Sequence, residues 1–441
     1  MKSKLNALRI EANRKLVPFE QLFEHYNRHS SSFILATTSC VTGALTKELI
    51  QQALDLIQLR HPRLNARIVG FPHRLRFKSG GVSSLPLRVV RIRQPSEWQN
   101  VLEEELNTKL ESDRWLLRAT LIHINDEPNT HYLITTIHHA IADGASSVQL
   151  HSEILSYCQS IAAGKQVVAN HLPILPAIHR LFPKPFKGLR GGAIGTLFFF
   201  QALWQILRHR SQHLSCEQQV PIHVGRKRVI HRQLDAALVK KLVQACKVEQ
   251  TTVQGALGAA MLLAVVEKIS RNKAKKTRVS CLSAVSLRPR VQPPVDDQQV
   301  SWMSSSVPSF HYIQPTSNFW DIARDVKQQL DDGIHHNNIF KLLLIGEALI
   351  KLFCNPSIFS PSDFSVTLTN LGRSTIPKTY GEFELKAISY LAAPASTTFY
   401  AAAITFDGTM FLNFPYSVPF VSQSTIESLI DRTLFFLTQV C

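Results

Sequence analysis

Apolar residues along the chain follow two rhythms. In LTKELIQQALDLIQLRHP (45–62) they recur at helical spacing, with Thr46 placed to cap the start and Pro62 to close the end. LPLRVVRIR (85–93) and LLRATLIHI (116–124) read as strands, and THYLITTIHH (130–139) alternates like a strand that buries one side. Helical spacing resumes in ADGASSVQLHSEILSYCQSIAAG (142–164) through Val148, His151, Leu155, Cys158 and Ile161, with Ser146 and Gln149 spaced as a capping box. The second half repeats the mixture. AALVKKLVQACKVE (236–249) and TTVQGALGAAMLLAVVEKI (251–269) predict helices, and RVSCLSAVSL (278–287) a strand. YAAAITFDGTMFLNFPYS (400–417) predicts a hairpin turning tightly at Asp407-Gly408. The fold class expected is α/β in both halves.

With 441 residues the chain exceeds one ordinary core, so two domains are expected. A crossover stands between them. Its centre, GGAIGTLFFFQALWQIL (191–207), has about fifteen apolar residues, short of the about 20 that a membrane-spanning helix needs. It reads either as a buried, tunnel-lining helix or as one lying on a membrane surface. Proline-rich LPILPAIHRLFPKPFKG (172–188) precedes it and polar RHRSQHLSCEQQVP (208–221) follows. The expected division is 1–180, a crossover at 181–220, and 221–441.

Lys and Arg exceed Asp and Glu by 17, which favours an acidic partner through long-range attraction. The positives cluster in HRLRFK (73–78), GRKRVIHR (225–232) and SRNKAKKTR (270–278), without interleaved aromatics or zinc-finger spacing. Nucleic acid is therefore not the expected partner. Seven scattered cysteines without a CxxC pair read as reduced thiols of a cytoplasmic protein, not as a structural zinc site. The opening MKSKLNALRIEANRKLVPFE has no apolar core, so no secretory signal is expected.

The chemistry concentrates in HHAIADG (138–144), where a strand ends in two imidazoles before a turn carrying its own acid. Adjacent strand residues face opposite sides, so one imidazole can face a cleft while the other packs inward. Three readings compete: core histidines with a turn aspartate, a metal site, or a general base with a pKa near neutrality. No HExxH or cysteine partner supports a metal. No GxSxG supports a serine nucleophile, and GLRGGAIG (188–195) lacks the order of a phosphate-binding loop. Gly144 reads as a residue freeing the backbone of the turn. A second pair, in GIHHNN (333–338), reads as a polar loop.

HHAIADG matches the HHxxxDG signature of the superfamily of condensation domains and chloramphenicol-acetyltransferase-like acyltransferases. RHPRLNARI (60–68), WLLRATLI (115–122), TTVQGALGAAMLLAV (251–265), VSLRPR (285–290) and VTLTNLG (366–372) resemble further family elements in the same order, so the resemblance spans nearly the whole chain. Stand-alone acyltransferases such as the phthiocerol dimycocerosyl transferases look nearest. The resemblance implies two chloramphenicol-acetyltransferase-like α/β subdomains in a V-shaped pseudo-dimer, with a tunnel at their interface. It implies that His139 is the general base for direct attack of an alcohol on a thioester, giving an ester. His138 is then structural, Gly144 keeps the turn tight, and Asp143 pairs with Arg288. Arg290 would face the same way as Arg288 in a regular strand. Candidates for the oxyanion or substrate contacts are Ser304, Ser305 and Asn370. The plant BAHD motif DFGWG is absent, and SDFSVT (362–367) is no substitute.

No permanently bound cofactor or metal is implied. The donor would be acyl-coenzyme A or the phosphopantetheine thioester of an acidic acyl carrier protein, drawn to the positive charge. A cytoplasmic monomer is expected, with peripheral membrane contact through 191–207 as a further reading. Alternatives are an amide-forming condensation enzyme and an inactive, carrier-binding member.

Overall fold

The computed structural model describes residues 11–71, 74–270, 276–314, 316–353, 364–395 and 397–441. Cys354, His73 and most of the basic run at 270–278 lie outside them. The first elements are α1 (Pro18–Ser30), β1 (Ile34–Thr42), α2 (Lys47–Arg60), β2 (Ala66–Val69), β3 (Arg76–Ser79), β4 (Leu87–Ile92), α3 (Trp98–Asn107), β5 (Leu117–Ile124), β6 (Thr130–His138) and α4 (Gly144–Ala162). Then come α5 (Gly188–His209), β7 (Arg226–Leu234), α6 (Ala236–Val248), α7 (Val253–Ile269), β8 (Thr277–Ser286), β9 (Ser304–Ile313), α8 (Phe319–His335), α9 (Asn338–Leu344) and α10 (Gly346–Phe353). The chain closes with β10 (Val366–Arg373), β11 (Thr379–Tyr380), β12 (Phe383–Ala392), β13 (Phe399–Phe406), β14 (Thr409–Val418) and α11 (Gln423–Gln439).

These elements form two α/β units, each around a six-stranded sheet. The division is not a single cut after a crossover. The first unit comprises Met1–Leu181, Pro293–Met303 and Ser374–Ala393, so two segments of the second half return to it. Its sheet runs β11-β12-β1-β6-β5-β4.

In the first unit, Thr46 caps α2 through the Leu49 N–H at 3.2 Å. The RHP element then fastens α2 to α4: Arg60 Nε and His61 Nε2 lie 3.3 and 2.7 Å from the same oxygen of Glu153. Strand β6 departs from the one-sided pattern. Every residue from Leu133 to His138 is buried, because β6 is central and both its faces are covered. Thr135 hydrogen-bonds His151 of α4, while its neighbour Thr136 meets Glu105 of α3, so the two helices lie on opposite faces. Threonine tolerates this burial because each hydroxyl has a partner.

The second unit has the sheet order β7-β14-β13-β10-β8-β9. Its core helix is α7, buried continuously from Gly255 to Val266. A Cβ on Gly255 would stand 2.5 Å from the Ala323 carbonyl, so glycine permits close packing on α8. Asp407 and Gly408 both have positive φ, as the two-residue turn between β13 and β14 requires. Edge strand β7 exposes Arg226 and Arg228, which discourage pairing with another strand.

The structure corrects two further expectations, the second in only one of its two readings. GIHHNN is not a loop: Gly333, Ile334 and His335 end α8, and Gly333 is buried against Val307, where a Cβ would come within 2.3 Å. The 191–207 segment is a helix, but not a buried one; of the 22 residues of α5 only Gly191 and Gly195 are buried. No single described helix is long and apolar enough to cross a membrane.

Candidate active site

β6 ends at His138, and His139 opens the turn into α4. The two imidazoles have different surroundings. His138 is fully buried. Its Nδ1 accepts the Ala140 N–H at 3.0 Å, which leaves the proton on Nε2, donated to Glu24 at 2.9 Å. Glu24, on α1, also receives the Ser112 hydroxyl and the Arg28 guanidinium. Burial alone would raise the Glu24 carboxyl; these partners outweigh it and hold it well below the usual carboxylate range. His138 is thus a structural tie between β6 and α1.

His139 keeps some accessible surface. Its Nδ1–H donates to the Ala142 carbonyl at 2.8 Å, so the neutral ring carries its lone pair on Nε2. The ring of Phe23 stacks on it at 4.5 Å between centroids, tilted by 9°. Phe33 lies 6.5 Å away, and Trp302 meets Phe23 edge-on at 5.3 Å. Burial in this aromatic pocket pushes the imidazole below its ordinary pKa, and the opposing pull of the Ala142 carbonyl and the Asp143 charge does not offset it. At the entry to β1, Ser31 has a φ of 53° and Phe33 one of 55°, a left-handed conformation uncommon outside glycine.

Asp143 caps α4. Its Oδ1 accepts the Ser146 N–H at 2.9 Å, and its Oδ2 accepts the Met303 N–H at 3.0 Å. The cap is therefore Asp143 and not the Ser146 box; Ser146 instead exchanges hydrogen bonds with the Ser301 backbone. Gly144 is the first residue of α4 and does not have a positive φ, so the backbone freedom expected of it is not used. Glycine is needed for space: a Cβ would lie 2.5 Å from Cε2 of buried Tyr390 on β12.

The remaining candidates belong to the second unit. Arg288 is buried and Arg290 is not on the same strand face, because β8 ends at Ser286 and residues 287–291 form a turn. There the Arg290 guanidinium bonds the Ser286 carbonyl at 2.8 Å. Ser304 opens β9 half-buried. The Ser305 hydroxyl donates to the Ile339 carbonyl at 2.7 Å, so its proton is engaged. Asn370 on β10 accepts the Gly372 N–H at 2.9 Å through its side-chain oxygen, the turn role that competes with substrate contact.

Glu24, Phe23, Phe33 and Trp302 escaped the sequence reading. The spacing of Phe19, Phe23 and Tyr26 in PFEQLFEHYNRHS marks an apolar helix face, but nothing local aims it at His139. Among the described residues no group of three or more His, Cys, Asp or Glu could hold a metal ion.

The chain is thus α/β in two units, each around a six-stranded sheet, with His139 opening the turn after β6. Residues 19–173 match the condensation domain, and residues 224–422 match the phthiocerol/phthiodiolone dimycocerosyl transferase C-terminus. Similar solved structures include trichothecene 15-O-acetyltransferase from Fusarium sporotrichioides, at 12% identity and TM-score 0.78, covering 97% of this chain and 95% of that one. Polyketide synthase associated protein 5 from Mycobacterium tuberculosis is similar at 14% identity and TM-score 0.70, covering 97% and 99%. The first condensation domain of the calcium-dependent antibiotic synthetase is similar at 14% and TM-score 0.74, covering 97% and 96%. A curated relative, one of the chains of the linear gramicidin synthase from Brevibacillus parabrevis, is 28% identical over 139 residues, 30% of this chain but only 3% of that protein. Two separate stretches of the chain thus match families of the superfamily that joins condensation domains with chloramphenicol-acetyltransferase-like acyltransferases, and the solved structures share its fold.

Proposed function

We propose that the protein transfers an acyl group from a thioester to an alcohol, forming an ester, with His139 as the general base. The observation that carries this reading is the hydrogen bond from His139 Nδ1 to the Ala142 carbonyl, which leaves Nε2 as the basic nitrogen. Nε2 takes the hydroxyl proton as the alcohol oxygen attacks the thioester carbonyl carbon. The tetrahedral intermediate then expels the thiolate, which receives the proton back from Nε2, so no acyl-enzyme forms. The lowered pKa keeps the ring neutral and able to accept a proton at physiological pH.

Asp143 acts through architecture, holding the turn by two backbone amides. Arg288 as its cationic partner, and Ser304 or the Asn370 amide as oxyanion donors, belong to the same proposal. The donor is acyl-coenzyme A or a carrier-borne phosphopantetheine thioester, either of which suits a chain with an excess of 17 positive charges. Amide formation is the second reading, favoured by the match to a linear gramicidin synthase.

The test is free-thiol release from short to long acyl-coenzyme A donors and acylated carrier proteins, with mixed alcohol and amine acceptors and products identified by mass. Wild type and His139→Ala run in parallel. Release requiring both an acceptor and His139, with an ester mass, is the expected result. An amide product transfers the reading to condensation. Release that His139→Ala leaves unchanged overturns the role of the base.

A further inference from the structure

Helix α5 of the second unit leaves most of its apolar side chains outside the core. Leu189, Leu197, Phe200, Leu203, Trp204 and Leu207 are all exposed, Leu189 at 96% and Leu197 at 72%. At about 100° per residue, these six positions fall within an arc of about 120° on one side of the helix. Gly191 and Gly195 lie on the opposite side and fix the helix to its unit. A Cβ on Gly191 would meet the Phe186 carbonyl at 2.4 Å, and one on Gly195 would meet Leu344 at 3.1 Å. The glycines thus let the helix seat on its back while the large side chains face outward. Monomers rarely expose so contiguous an apolar stripe without a use.

Charge identifies what covers it. Between Glu153 and Glu217 the chain has no Asp or Glu, and seven Lys or Arg. Lys184, Lys187, Arg190, Arg208 and Arg210 are exposed around the two ends of α5. By the same helical geometry Arg190 and Arg208 sit about 20° beyond the rim of the apolar arc. The Arg208 guanidinium lies over the Trp204 ring at 4.8 Å. An acid-free helix with Trp, Phe and Leu on one face and basic residues at its rim and ends is the composition of a helix that lies in a membrane interface.

We propose that α5 docks this protein onto an anionic lipid surface, its apolar stripe entering the acyl boundary and its flanking Lys and Arg residues pairing with headgroup phosphates. The helix is about 33 Å long at 1.5 Å per residue, enough to lie flat along the surface. Docking through α5 does not depend on the acyl-transfer reading.

The test uses the full chain and sedimentation with sucrose-loaded vesicles of phosphatidylcholine, with or without 30 mol% phosphatidylglycerol (about a third, chosen to give a negative surface). Wild type should bind the anionic vesicles at least about tenfold more tightly than the neutral ones, and lose that preference in high salt. Leu197→Glu/Phe200→Glu/Trp204→Glu should abolish sedimentation, and Arg190→Gln/Arg208→Gln should weaken it. Both variants alter exposed side chains and should keep the wild-type melting temperature. A blue shift of tryptophan emission on binding, absent in Trp204→Phe, would place the stripe in the lipid. The proposal is overturned if wild type stays in the supernatant with anionic vesicles, or if the triple variant sediments as wild type does. It is equally overturned if light scattering shows a dimer that the triple variant dissolves while no vesicle binds.

Discussion

Replacing Asp143 by alanine removes two hydrogen bonds from one carboxylate and tests whether its role is architectural. Loss of the cap on Ser146 N–H costs about 1 kcal/mol, and loss of a negative charge at the start of α4 about a further 0.5 kcal/mol. The Met303 N–H, buried and left without this acceptor, adds about 1–3 kcal/mol. Taking about 1.5 kcal/mol for that amide, the sum is about 3 kcal/mol. For a unit of about 200 residues each kcal/mol moves the midpoint by about 2–4 °C, so the first unit should melt about 6–12 °C lower. Asp143→Asn keeps an oxygen for Ser146 but turns an NH2 toward Met303, and should fall between wild type and alanine. Calorimetry gives the midpoints, and hydrogen exchange at Met303 and the first turn of α4 shows whether the loss is local. An alanine variant that is inactive yet melts within about 2 °C of wild type would refute the reasoning, because the carboxylate would then act on the reaction and not on the turn.

Other perturbations separate chemistry from scaffold. His139→Ala should lower transfer by about 10²–10⁴-fold without lowering the melting temperature, read by thiol release beside calorimetry. Because burial depresses the His139 pKa, kcat/KM should hold below pH 6.5, the ordinary histidine value, and fall tenfold per unit only beneath the depressed pKa. His151, held by Ser39 and Thr135, is pushed down to about 3, so the unfolded chain takes up its proton first as pH drops. Stability should therefore be fully present above about pH 6.5 and fall by up to about 1.4 kcal/mol per pH unit below it. His151→Asn should be less stable at neutral pH but show a shallower acid slope in thermal melts. Gly144→Ala should cost about 1–3 kcal/mol by overpacking against Tyr390, and Tyr390→Leu in the same chain should recover part of it.

What the sequence made legible was local or carried by a motif. The Thr46 cap and the Asp407-Gly408 turn rest on neighbouring residues and stand where their chemistry placed them. The histidine pair was readable as two rings with different surroundings, although β6 ends at His138 and His139 already belongs to the turn. Contacts between distant segments were not readable. Gly144 was read as freeing the backbone, whereas what requires glycine there is the ring of a residue on β12, which no spacing near 144 reveals. The cap is Asp143 and not Ser146, and the other oxygen of its carboxylate receives an N–H from Met303, 160 residues away, which no local spacing reveals. Glu24 and Phe23 looked like ordinary positions of an amphipathic helix; only the packing of α1 beside β6 makes one a tether and the other a stacking face. Helix α5 reads by composition either as buried or as lying on a membrane surface, and composition cannot say which elements cover an apolar face.

The turn that holds His139 is completed by Met303 and Tyr390, which lie in the two segments returning to the first unit from the second half of the chain. Synthesis on the ribosome runs in one direction, so this turn emerges complete in sequence long before it can be complete in space. A nascent chain ended near residue 181 contains both histidines, Asp143 and Gly144, yet lacks β12, the neighbour of β1, and the amide that Oδ2 receives. The first unit therefore reaches its final order only after Ala393 has been made, through contacts of high sequence separation that form slowly. His139 is encoded early, and the turn around it is assembled late.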